Sequence, residues 1–213
     1  MSDFLEGKLD NQEIRQMLSE HKYSSGFKPS EELLDDIIEK FWFHDFYNSF
    51  ISDPVFLEYL IKYLNHTKPK KFNRFDFYQF LFDQTLKQKS KKSTLQLIAL
   101  AFEQIQTDAM SPSGYEGLFK AVDTPKGIFD ASWMQKNHLA KIADREGKKY
   151  FIWEHHTLTE FLTAEHTLQA KSPLEEFQKL AVLDKEGVVA FKPSWSGVLR
   201  FLLESPKGTE TLH

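Results

Sequence analysis

Apolar side chains recur at helical spacing along most of this chain, and that period restricts the fold more than any other feature. Ile14, Met17 and Leu18, within the segment Asn11 to His21, stand at i, i+3 and i+4 and share one helical face. After a break at Gly26 and Pro29, Leu34, Ile37, Ile38 and Phe41 repeat the pattern. Ser30 is placed to N-cap that helix, and Glu31 and Glu32 fall in its first turn, where the helix dipole favours negative charge. The 20 Phe residues stand against only 9 Gly and 8 Pro, too few turn formers for a turn-rich sandwich or barrel. With 213 residues and 41% hydrophobic content, the chain can bury a core as one large domain or two small ones. The expectation is a mainly α protein.

Asp53-Pro54 marks a helix start, Asp as the N-cap and Pro at the first helical position, where a missing N–H costs nothing. Val55, Phe56, Leu57, Tyr59, Leu60, Ile61 and Leu64 follow, apolar on nearly every side, which predicts a central buried helix. Arg74 to Leu86 is a second aromatic-rich helix, with Phe75, Tyr78 and Phe82 beside Phe77, Phe80 and Leu81. Lysines and arginine from Lys68 to Lys92 flank it, but the charges cluster at its ends and the rings in its middle. Solvated flanks around a buried helix fit this better than a nucleic-acid surface. Leu33-Leu34-Asp35-Asp36 looks like the end of a Walker B strand, yet its surroundings have helical period, so it reads as helix.

From Ser93 the organisation changes. Ser93 and Gln96 have capping-box spacing, with Leu95, Ile98, Ala99, Phe102 and Ile105 as the apolar stripe of the helix they open. Ser111-Pro112 opens a shorter helix, and Asp130 or Ser132 can cap a third. Ala140 to Asp144 and Lys149 to Trp153 are β-prone runs around Arg145-Glu146-Gly147-Lys148, which reads as a hairpin turn. Three helices and a hairpin are the order of a winged helix. Thr157-Leu158-Thr159-Glu160 then has capping-box spacing, with Thr157 as N-cap and Leu158, Phe161, Leu162 and Leu168 as the buried face. Beyond Ser172-Pro173 come an amphipathic helix and an apolar one, Pro193 to Leu203, for which natural partners are expected elsewhere. The expected architecture is a helical bundle, then a winged-helix domain with a small β-hairpin, then a C-terminal helical extension. Its boundaries are a small helical domain at 1–92, the winged helix at 93–171 and the start of a second helical domain at 172–213.

Several chemistries find no support. The formal charge of -4 gives no global positive field to attract nucleic acid or anionic membrane. In the hairpin region Lys136, Lys141, Arg145, Lys148 and Lys149 face Asp130, Asp144 and Glu146, a thin excess for groove binding, so a DNA-binding winged helix is the alternative reading. The chain has no cysteine, which excludes thiolate chemistry and agrees with a reducing, cytoplasmic compartment. Its acidic start is unlike a secretory signal, and no run approaches the ~18 apolar residues of a membrane span. His155, His156, Glu160 and His166 lack the i, i+4 histidine pair of a helical zinc site. No G-x-x-x-x-G-K-[ST] occurs, so the phosphate cradle of an ATPase is missing and the chain is not expected to be an enzyme.

The segment Trp153-Glu154-His155-His156-Thr157-Leu158-Thr159-Glu160-Phe161-Leu162-Thr163-Ala164-Glu165 resembles the aromatic-x-His-x-Ser/Thr-Phe/Leu-x-Glu-Phe-x-Ala-Ala motif closing the winged helix of NACHT-type STAND signalling NTPases. Asp53-Pro54-Val55-Phe56-Leu57 is similar to the Asn-Pro-x-x-Leu start of that family's small helical domain, and Trp195 to Phe201 to its next helical element. Asp53 replaces the family's Asn, and Glu165 stands where a second Ala is common. The resemblance covers about residues 30–203. It implies a regulatory module of innate immunity or antiviral defence, whose oligomerisation follows the nucleotide on a neighbouring P-loop domain. It also implies that His155 reaches the β-phosphate of ADP and that Pro54 packs on adenine, while His156 remains the other candidate for the inward-facing imidazole. ADP or ATP is expected only together with that P-loop domain, and none for this chain alone. The implied partners are the P-loop domain of the same parent protein and further protomers on activation, with neither membrane nor nucleic acid among them.

Overall fold

A computed structural model of the chain describes residues 9–42, 53–86, 91–108, 136, 139–145, 148–153, 155–185 and 187–211. The protein is mainly helical. It divides into two compact units, Met1–Leu81 and Phe82–His213. The expected helices opening at Ser111-Pro112 and at Asp130 or Ser132, and the turn residue Gly147, lie outside the described residues.

In the first unit, helix α1 (Asn11–Glu20) opens with a reciprocal cap. Glu13 N–H donates to Asp10 Oδ1 and Asp10 N–H to Glu13 Oε2, each at 2.8 Å. Ile14 and Leu18 are buried, but Met17, expected on the same face, is 45% exposed. The stripe α1 turns inward is narrower than its sequence suggests. Helix α2 (Glu31–Trp42) starts where Ser30 Oγ accepts from Leu33 N–H at 3.2 Å. Leu33, Leu34, Ile37 and Phe41 are buried along it. Asp35 and Asp36 are therefore helical, as the period required: Asp35 pairs with Arg15, and Asp36 accepts from Phe72 N–H at 2.8 Å.

Helix α3 (Pro54–Thr67) begins at the Asp53 N-cap, whose carboxylate accepts from Val55 N–H at 2.9 Å. Phe56, Leu57, Leu60, Tyr63 and Leu64 are buried on it. It ends at Lys68, the one non-glycine residue with positive φ (48°) among those described, which donates its N–H to Leu64 C=O at 3.0 Å. Helix α4 (Arg74–Leu86) follows, and the division between units falls within it. The first unit's core is aromatic. Tyr63 and Phe77 meet edge to face at 5.6 Å, Phe41 and Phe77 at 5.8 Å, and Phe41 lies 5.3 Å from Phe72.

The second unit contains helix α5 (Lys91–Asp108), strands β1 (Ala140–Arg145) and β2 (Lys148–Trp153), and helix α6 (His156–Leu168). Helix α7 (Pro173–Ala181), strands β3 (Val182–Lys185) and β4 (Val188–Phe191), and helices α8 (Ser196–Glu204) and α9 (Pro206–Thr211) complete it. Since α5 starts at Lys91, Ser93 stands inside the helix and is not its N-cap. Among its described side chains Leu97, Ile98, Ala101, Gln104 and Ile105 are buried, while Leu95 is 44% exposed. The expected stripe is thus rotated toward Leu97 and Ala101. β1 and β2 pair antiparallel, with Ala140 opposite Trp153 and Arg145 opposite Lys148.

Helix α6 is the core element of this unit. Ten of its 13 residues are buried, and it packs against α5 and α8. Phe161 stacks on Phe82 at 5.4 Å and meets Phe201 of α8 edge to face at 5.5 Å. The apolar helix near the end of the sequence thus finds a partner within the chain: Gly197, Val198, Phe201 and Leu202 are buried. A second antiparallel hairpin, β3 with β4, was not anticipated; it pairs Val182 with Phe191 and turns through Gly187 at φ 80°. No helix among the described residues is long and apolar enough to cross a membrane.

Candidate functional site

The histidine motif lies where β2 hands the chain to α6. His155 is the helix N-cap, extended at φ -136° and ψ 137°, and its carbonyl accepts from Leu158 N–H at 3.1 Å. The capping box expected from Thr157 to Glu160 does not form. The helix begins at His156, so Thr157 is already inside it, and the His155 side chain makes no capping hydrogen bond. Only the residue 154 separates β2 from the cap, which fixes the start ahead of Thr157. The first turn is held instead by Thr159, whose Oγ1 donates to the His156 carbonyl.

The two histidines differ in surroundings. His155 is 9% exposed. His156 keeps 32% of its side chain exposed, yet the protein around its ring pushes its pKa down through desolvation. Its ring is turned onto its own helix. Nδ1 lies 3.3 Å from Thr159 Oγ1, and Nε2 lies 3.5 Å from Glu160 Oε1. A neutral His156 has one ring proton for these two acceptors: on Nδ1 it donates to Thr159 Oγ1, whose own proton goes to a carbonyl, and on Nε2 it faces the Glu160 carboxylate.

Glu160 faces inward rather than back toward a cap. It is 7% exposed, and its carboxylate lies against Gly197, the second residue of α8. Further along α6, Thr159, Thr163 and Thr167 are fully buried. Thr167 Oγ1 donates to Thr163 C=O at 2.9 Å. Thr163 Oγ1, His166 Nδ1, Ser194 Oγ and Trp195 Nε1 are buried with no hydrogen-bond partner among the described residues. The His166 ring stacks on Phe102, and burial lowers its pKa, while Glu176 acts in the opposite direction.

Pro54, the other residue the sequence singles out, is the exposed first residue of α3. It belongs to the first compact unit and His155 to the second. Thr163 stands inside the motif one helical turn from Thr159, and His166 was weighed only with His155, His156 and Glu160 as a zinc set; neither these two nor Gly197 was read from the sequence as packing around the motif. Among the described residues, no group of three or more His, Asp or Glu side chains is placed to hold a metal ion. No protein-family model, curated protein or solved structure matches this chain.

Proposed function

We propose that this chain is the regulatory module of a NACHT-type STAND signal-transduction ATPase, reading the nucleotide on a neighbouring P-loop domain and controlling oligomerisation in cytoplasmic defence signalling. The carrying observation is the corner itself: a buried histidine N-caps a helix with ten of 13 residues buried, and a hairpin strand immediately precedes it. A helix start offers partly positive amides to a phosphate. His156 turns its ring nitrogens toward Thr159 and Glu160, and the family resemblance assigns the phosphate contact to His155. In this reading α5, the hairpin and α6 are parts of a winged helix at 93–171, residues 1–92 form the small helical domain, and Pro54 packs on adenine.

The chain contributes no phosphate cradle, so ADP or ATP is held mainly by the P-loop domain. A single imidazole or proline contact contributes about 1–3 kcal/mol, enough to bias a two-state switch tenfold or more. The decisive experiment replaces His155 with Ala or Leu in the complete parent protein and measures co-purifying ADP and oligomeric state. Loss of ADP with constitutive assembly supports the assignment. Normal ADP retention in a silent protein removes it.

A further inference from the structure

The carboxylate of Glu160 occupies the space a side chain at position 197 would need. An ideal Cβ built on Gly197 falls 2.0 Å from Glu160 Cδ, 2.1 Å from Oε1 and 2.2 Å from Oε2. Near-equal distances to all three atoms mean that the carboxylate lies face-on over the glycine, and only glycine allows that approach. The Glu160 side chain is 9% exposed, so it has little room to swing away. Burying a carboxylate is costly unless something offsets the lost hydration.

The Glu160 carboxylate lies at the first turn of α8. The N-cap of α8, Trp195, makes no side-chain capping bond, and Glu160 brings a negative group to the second residue of this helix from a different element. On its other side the same carboxylate has His156 Nε2 3.5 Å from Oε1, one turn back along α6. One side chain therefore touches both the histidine corner and the beginning of α8.

We propose that Glu160 is a positioning residue whose carboxylate, seated on Gly197, couples the histidine corner of α6 to the start of α8, so that a change at that corner is passed to the C-terminal helices. The link between Glu160 and Gly197 is independent of any ligand, and its use in signalling rests on the function proposed above.

The test is a double-mutant cycle in the full chain without nucleotide, comparing Gly197→Ala, Glu160→Ala and the double variant by thermal unfolding. Gly197→Ala should lower Tm by about 5 °C in the wild-type background and cost nothing with Glu160→Ala, since alanine is the better helix former once the carboxylate is gone. Equal losses in both backgrounds overturn the proposal. If Gly197→Ala does not fold, Glu160→Gln carries the test. It should speed amide exchange at 197–199 and lower the His156 ring pKa measured by NMR, whereas Thr163→Val should do neither. Unchanged exchange and an unmoved His156 titration also overturn the proposal. Strong coupling in the cycle, together with normal ADP retention by His155→Ala in the parent, would leave the strut standing and remove the nucleotide reading.

Discussion

Phe102 of α5 and His166 of α6 lie nearly parallel, with ring centroids 4.0 Å apart and planes 17° from coplanar. Such a stack buries the imidazole against carbon, and a neutral ring fits there better than a charged one. His166 is accordingly held below the ordinary histidine value of 6.5, burial being the larger cause. The unfolded chain then takes up its proton first as pH falls. Stability from this site is complete above about pH 6.5 and drains away as pH approaches the lower folded value. Tm should fall between pH 7.5 and 5.5, and His166→Phe, which keeps a ring on Phe102, should reduce that fall. His156, also lowered by burial, supplies a remainder. An identical pH slope in the His166→Phe variant would contradict this account.

Glu165 presents the opposite sign. Burial, and less strongly Asp83, raise its pKa above the ordinary 4.5, while Lys207 pulls it back. The fold prefers the protonated acid, so ionisation near neutrality costs stability. Glu165→Gln should raise Tm at pH 7 and lose that advantage below about pH 4, a comparison that two melting curves per protein decide.

Two neighbouring threonines on one helix should respond differently to the same change. Thr167 Oγ1 donates to Thr163 C=O, whereas Thr163 Oγ1 is buried without a hydrogen-bond partner among the described residues. Thr163→Val removes an unsatisfied hydroxyl and should be neutral or stabilising by up to ~1 kcal/mol. Thr167→Val forfeits a bond and should destabilise by ~1 kcal/mol. Urea denaturation of both variants would expose a reversed order.

At the start of α3, Asp53→Ala should cost about 1 kcal/mol, because Val55 N–H loses its acceptor. Asp53→Asn should cost little, since the amide oxygen can take the same bond. A urea midpoint for Asp53→Asn as low as that for Asp53→Ala would show that charge, not capping, holds this turn.

How much of this was legible depended on whether local chemistry or tertiary packing set the outcome. Asp53-Pro54 and the span Arg74 to Leu86 were readable because cap, proline and aromatic period agreed with one another. The first hairpin was readable from its two β-prone runs. The cap of α6 was not, because a Thr-x-x-Glu spacing looks the same whether the glutamate turns back to the helix start or inward to another helix. Here the strand ahead starts the helix at His156, and Gly197, distant in sequence, takes Glu160. The rotated face of α5 has the same origin: Leu95 and Leu97 are equally apolar, and packing alone chose between them. The β3 and β4 ribbon escaped notice because four-residue strands carry little alternation to read.

A helix enclosed as α6 is cannot come loose by itself. Opening it would uncover Phe161, Leu162 and three buried threonines together and deprive α5 and α8 of their common support. The interior amides of Phe161 to Thr167 should therefore exchange with solvent only through events that also dismantle α5 and α8, whereas the β3 and β4 ribbon can breathe independently. Any rearrangement that spares α6 would have to travel along its surface as sliding or tilting of intact neighbours rather than as local melting.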